Sequence, residues 1–134
     1  MNNGLECIFD WLQFTIPMLD PESVILQVLN YDPANFAQLP KGRYGYKGQL
    51  YYQNIHVLYD GTPEMGVHVV MTGQGCREYE TRGDILELLD RVMYHDGKCT
   101  RIDLAIDDKT GKIIKFDEMV KAIKKGYVIS KWKI

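Results

Sequence analysis

An α+β fold, with one mainly antiparallel sheet and helices on one face, is what this sequence predicts. Three observations carry that expectation. Stretches of strand and helix character follow in the order β-α-β-β-β-α-β-α. Strands and helices do not alternate strictly, which argues against a doubly wound parallel sheet. Finally, TRIDLAIDD, from Thr100 to Asp108, sorts by period two into an apolar face (Ile102, Leu104, Ile106) and a polar one (Arg101, Asp103, Ala105, Asp107). A strand sorted this cleanly packs under helices on one side only.

Each element has its own signal. Leu5 to Ile16, LECIFDWLQFTI, is aromatic and β-branched. One of its faces reads Ile8, Asp10, Leu12, Phe14, Ile16 and is mainly a core face; the other reads Phe9, Trp11, Gln13, Thr15. Asp20 and Pro21 then offer an N-cap and a first helical position, with Val24, Ile25, Val28 and Leu29 at helical spacing up to Asn30. Two strands are expected at Tyr44–Tyr52 and Asn54–Tyr59, and a third from Gly66, where His68, Val70 and Thr72 share one face and Val67, Val69 and Met71 the other. Gly73 and Gly75 are read as ending that strand. Thr81–Asp84 has the shape of a capping box, opening a helix with Ile85, Leu88, Leu89, Val92 and Met93 inward. After the TRIDLAIDD strand come a DKTGK turn, a third helix (KFDEMVKAIKKG) and a final candidate strand, YVISKWKI. The whole is similar to a ferredoxin-like or RRM-like layout.

Composition sets bounds on function. The chain has 134 residues, 46% hydrophobic and 25% charged, which fits a single domain spanning 1–134 with a real core. No apolar run reaches 18 residues, so no transmembrane helix is expected. MNNGLECIFDWLQ lacks the charged and apolar regions of a signal peptide. Cys7, Cys76 and Cys99 are odd in number and form no CxxC pair, which indicates reduced thiols in a cytoplasmic protein with no membrane partner. His56, His68 and His95 form no zinc-binding pattern. The net charge of −2 hides an asymmetry: from Lys109 onward eight lysines face only Asp117 and Glu118, while the body before them is strongly acidic. A solvated Lys-rich helix and a phosphate-contacting surface are both open readings of that tail.

Charge on the polar face of TRIDLAIDD is the most informative feature. Asp103 and Asp107, four residues apart, are about 13 Å apart on a straight strand and would not share one ion directly. Asp103 with acids from elsewhere is a candidate site for a hard divalent cation, Mg²⁺ or Mn²⁺. Arg101 either pairs with Asp103 or grips a phosphate. A solvated face with an Arg–Asp pair is the plain alternative. Gly73 and Gly75 offer close backbone approach, and Arg77 a cation, for a nucleic-acid backbone, with a glycine bulge at a strand end as the plain alternative. Trp11, Tyr44, Tyr46, Tyr51, Tyr52 and Tyr59 are placed on strands, where aromatics stack unpaired bases or simply pack. Cys76 is a weak candidate nucleophile, with no histidine implied beside it.

Three linked stretches, DWLQFTIP, GVHVVMTGQGCREYE and TRIDLAIDD, resemble in order those of replication initiation factors, the rolling-circle initiators of small Gram-positive plasmids and the related relaxases of conjugative elements and phages. The resemblance covers most of the chain. It implies an N-terminal domain of a longer DNA-nicking protein, in which a tyrosine attacks one strand with divalent-metal assistance. It implies Asp103, and less firmly Asp107, as metal ligands, and Arg101, Gly73, Gln74, Gly75, Arg77, Trp11 and Gln13 as DNA contacts. DNA, as a single strand or an origin hairpin, is the implied partner, and an unmatched sheet edge allows a homodimer. No catalytic residue is assigned: the family's tyrosine followed closely by Lys is missing, and Tyr127 lacks that context. Two other readings stand beside it: a non-catalytic RRM-like nucleic-acid-binding module, and an interaction domain that dimerises through its edge.

Overall fold

The computed structural model describes residues 5–108, and the side-chain surroundings of residues 8–105. Six strands form one sheet: β1 (Leu5–Ile16), β2 (Ala37–Gln38), β3 (Gly48–Tyr52), β4 (Ile55–Tyr59), β5 (Val67–Met71) and β6 (Lys98–Asp108). Their spatial order is β2-β3-β4-β5-β1-β6, and every neighbouring pair is antiparallel. A short α1 (Pro21–Ser23) runs into a π-helical segment (Val24–Leu29), and α2 (Gly73–Glu80) and α3 (Ile85–Tyr94) lie between β5 and β6. The expected α+β class therefore holds. The third helix, the DKTGK turn and the YVISKWKI strand fall outside the described residues.

The π-helical segment, α2 and α3 contribute to the core on one face of the sheet. That core joins Leu12, Phe14 and Ile16 of β1, Val57 of β4 and Val69 of β5 to Ile25, Leu29, Cys76, Tyr79, Leu88 and Val92. Full burial of a side chain such as Leu12 or Phe14 contributes about 1.5–3 kcal/mol. Ile102 and Leu104 pack against this core while Arg101 and Asp103 point away from it, as period two requires.

Two bulges set the faces. Phe9 pairs with Leu104 and Trp11 with Asp103, so Asp10 is an extra residue on β1. Gln13 pairs with Arg101 and Phe14 with Cys99, so Thr100 is extra on β6. An extra residue shifts the alternation upstream of it. Phe9, rather than Ile8, consequently joins the core, and Asp10 is exposed, which corrects the face expected for all three.

Other expectations need correction too. Gly73 and Gly75 open a helix rather than ending a strand: Thr72 is the N-cap of α2 and its hydroxyl accepts from the Gly75 N–H. Cβ atoms are absent where two segments of the chain meet closely. A Cβ on Gly73 would lie 2.8 Å from the Asp10 carboxylate, and one on Gly75 would lie 2.4 Å from the Asn54 carbonyl oxygen. The Glu78 carboxylate accepts from both the backbone N–H (3.0 Å) and side-chain amide (2.8 Å) of Asn54, so α2 holds the β3–β4 turn. Thr81 is the C-cap of α2 rather than part of a capping box, and Asp84 caps α3. Tyr44 and Tyr46 precede β3, because Tyr44 and Gly45 both take positive φ and turn the chain.

Candidate nucleic-acid interface

The sheet face turned away from the helices carries a small apolar cluster of its own, Tyr46, Leu58 and Val70, with Trp11 and Met65 against it. Polar side chains of β1, β5 and β6 lie beside it. Cross-strand register puts Gln13 opposite both Val70 and Arg101, Thr15 opposite His68, and Trp11 opposite Asp103.

A directional hydrogen-bond chain runs across this face. The Trp11 indole N–H donates to Gln13 Oε1 (2.8 Å). Indole nitrogen is only a donor, so the Gln13 carbonyl oxygen must point to it and the amide nitrogen to His68 Nε2 (2.8 Å). His68 Nε2 is therefore the acceptor. Its Nδ1 carries the proton and donates to Thr15 Oγ1 (2.9 Å). A parallel assignment holds for His56, whose Nδ1–H donates to Gln49 Oε1 (2.8 Å) while Gln49 Nε2 donates to the Lys41 carbonyl. Burial, and then repulsion from Arg43, push both imidazoles below their ordinary 6.5, which favours the neutral rings these hydrogen bonds need.

Arg101 stands at the rim. Its guanidinium lies 4.2 Å from the Trp11 ring centroid and forks onto the Asp103 carboxylate, Nη2 to Oδ2 at 2.8 Å and Nε to Oδ1 at 3.3 Å. Those bonds hold Asp103 below the usual carboxylate range and Arg101 above its own ordinary value. Both side chains are about half exposed, so the pair adds little stability. Gln13, Tyr44, Tyr46, His68, Thr100 and Arg101 line a shallow hollow of about 450 Å³. Tyr46 stacks on His68, exposed Tyr44 meets it edge-on, and Arg43 lies over Tyr44.

The structure thus gathers Trp11, Gln13, Arg101 and Asp103 into one patch. It puts Gly73, Gln74, Gly75 and Arg77 elsewhere, at the start of α2, where Arg77 pairs with Asp10 at 3.2 Å. Asp107 is opposite Glu6 in the β1–β6 register, and its side chain lies outside the described residues, as does Tyr127. His68 was not singled out as a site residue from sequence. The signal available was one histidine within an apolar strand, on the same face as Thr72. Its partners Gln13 and Thr15 are 55 and 53 residues away. Cys76 is buried, and its thiol is pushed up to about 12 chiefly by that burial, which argues against nucleophilic use.

No group of three or more His, Cys, Asp or Glu side chains able to hold a metal occurs among the described residues. Asp103 already has both oxygens on Arg101. The described residues alone therefore do not make up a divalent-metal site. No described helix is long and apolar enough to cross a membrane.

The site thus lies on an antiparallel sheet with helices on one face and an arginine-rimmed aromatic patch on the other. Residues 6–94 match the family described as the rolling-circle replication initiation protein N-terminal domain. The chain belongs to that family. It is 30% identical over 139 aligned positions to a Bacillus subtilis (strain 168) protein bearing the name DNA relaxase NicK, covering 99% of this chain and 39% of that protein. A solved rolling-circle replication initiator protein from Geobacillus stearothermophilus superposes with a TM-score of 0.72 at 34% identity, over 92% of this chain and 51% of that one. The chain thus spans about two fifths to one half of these relatives.

Proposed function

We propose that this domain supplies part of the DNA-binding surface of a rolling-circle initiator or relaxase, acting in the cytoplasm on plasmid or mobile-element DNA. The sheet face around Arg101 is where it meets a single strand. The single observation carrying this reading is the Arg101–Trp11–Gln13–His68 network beside an exposed tyrosine, in a chain of this family. Arginine offers a phosphate a planar fork, and aromatic faces accept bases of any sequence. Gly73, Gln74, Gly75 and Arg77 would form a second, backbone-directed contact at the α2 N-terminus.

Nicking would draw its tyrosine from outside the described residues. Asp103, and less firmly Asp107, are our candidate carboxylates for Mg²⁺ or Mn²⁺, each acting with acids from elsewhere because about 13 Å of strand separates the two. Asp103 would present its oxygens only if Arg101 left it, as when a phosphate takes over the guanidinium. No chemical step is assigned to residues 5–108.

Fluorescence anisotropy with a labelled single-stranded oligonucleotide tests the reading. Binding should weaken with salt, and Arg101→Ala should lower the slope of log K against log salt by roughly one phosphate contact. Wild-type binding that is unaffected by Arg101→Ala would place the interface elsewhere. The same titration with and without Mn²⁺ separates a metal-assisted site from a non-catalytic RRM-like module, whose binding would not depend on the ion.

A further inference from the structure

We propose that the hollow beside Arg101 holds one unpaired nucleotide and that Gln13 reads its base, favouring thymine over adenine. This rests on the sheet face being the single-strand surface, and it adds a specificity residue to it. The hollow of about 450 Å³ lies within the range of small-ligand sites. Its walls suit a flat ring. Tyr44 is 58% exposed, and the Arg101 guanidinium, stacked on Trp11, leaves its second face to solvent as a platform for a base.

Specificity follows from the fixed direction of the hydrogen-bond chain. Trp11 takes the Gln13 oxygen and His68 takes one amide hydrogen. The second Gln13 amide hydrogen has no partner among the described residues, and neither does Arg101 Nη1, since Asp103 engages Nε and Nη2. The hollow therefore offers mainly donors from its anchored groups. Thymine presents two carbonyl oxygens and no exocyclic amine; adenine's acceptors are ring nitrogens, and N1 and N7 each lie beside an N6 amine whose hydrogens would face the same donors. The hydroxyls of Tyr44 and Thr100, both exposed, can rotate to accept the thymine N3–H. The chain from Trp11 to Thr15 thus orients Gln13, and His68 acts as a positioning residue behind it.

Two measurements on the 134-residue chain test this. Oligo-dT and oligo-dA are compared by anisotropy at one salt concentration, for wild type, Gln13→Leu and Gln13→Glu. Oligo-dT should bind roughly tenfold tighter to wild type. The preference should fall to about the general pyrimidine bias in Gln13→Leu. In Gln13→Glu, which accepts where glutamine donates, it should shift toward adenine. The tautomer of His68, read from its ring nitrogen shifts, should be Nδ1–H in wild type. An Nε2–H tautomer would reverse Gln13 and overturn the proposal even if a variant failed to fold. A dT preference unchanged in both variants would also overturn it, while leaving the sheet face as the DNA surface. Failure of wild type to bind either oligonucleotide would overturn both readings.

Discussion

Two arginine–aromatic clusters occupy opposite faces of the sheet and are built from the same chemistry. On the helix side, Arg91 Nε donates to the Val28 carbonyl (2.7 Å) and its Nη2 to the Tyr79 hydroxyl, while Arg82 lies 3.8 Å from the centroid of the Tyr31 ring, which stacks on Tyr79. On the other side, Arg101 lies over Trp11. Arg91 is half-buried, and its two bonded nitrogens close the end of the π-helical segment onto α2 and α3. Arg101 is exposed, is paired among the described residues only with a neighbour two residues along its own strand, and borders an open hollow. The first cluster stitches the helices together. The second keeps a cation and an aromatic platform at the surface, which is the property a ligand needs.

The contrast can be broken by substitution. The largest effect is expected from the core beneath both clusters. Phe14→Ala should cost about 3–5 kcal/mol in urea unfolding, because it opens a cavity in a fully buried site. Next, Arg91→Met leaves the Tyr79 hydroxyl and Val28 carbonyl unpaired, and should cost about 1–3 kcal/mol without changing oligonucleotide affinity. Arg101→Met should do the reverse: stability within about 0.5 kcal/mol of wild type, with clearly weaker DNA binding. If the natively folded Arg91 variant lost affinity as strongly as the Arg101 variant, the division between the two clusters would fail.

Smaller effects sharpen the division. His68 and His56 titrate below 6.5 in the folded protein, so below about pH 6.5 the unfolded chain takes up protons that the folded chain does not. Stability should therefore decline as pH falls from about 6.5 and level off once the folded imidazoles are protonated. The urea midpoint of His68→Gln should show a shallower decline between pH 7 and pH 5 than that of wild type. The smallest effect concerns thiols. Cys76 and Cys99 are buried, each pushed up to about 12 chiefly by desolvation, and both should resist alkylation at pH 8 until urea exposes them, as peptide mass spectrometry would show.

Several features were legible without coordinates because they are local and periodic. The alternation in TRIDLAIDD placed Arg101 and Asp103 on one face and Ile102 and Leu104 on the other, and cross-strand pairing preserves it. The apolar stripe of α3 was equally plain. α2 was missed because Gly73 and Gly75 are poor helix formers. They are tolerated there because Asp10 and Asn54 pack where side chains would stand. The bulge at Asp10 left no periodic trace, so Phe9 and Ile8 were put on the wrong faces.

The site divides in the same way. Strand periodicity placed Trp11 and Gln13 together and put Arg101 and Asp103 on the polar side of a strand, while three linked motifs carried the resemblance to rolling-circle initiators that the comparisons bear out. Only the tertiary structure decided that these two pairs meet, that His68 completes them, and that Asp103 is spent on Arg101. The reason is physical. A strand's face is set by its own backbone geometry, whereas hydrogen-bond partners more than fifty residues apart are set by sheet register and bulges, which depend on the packing of the whole chain.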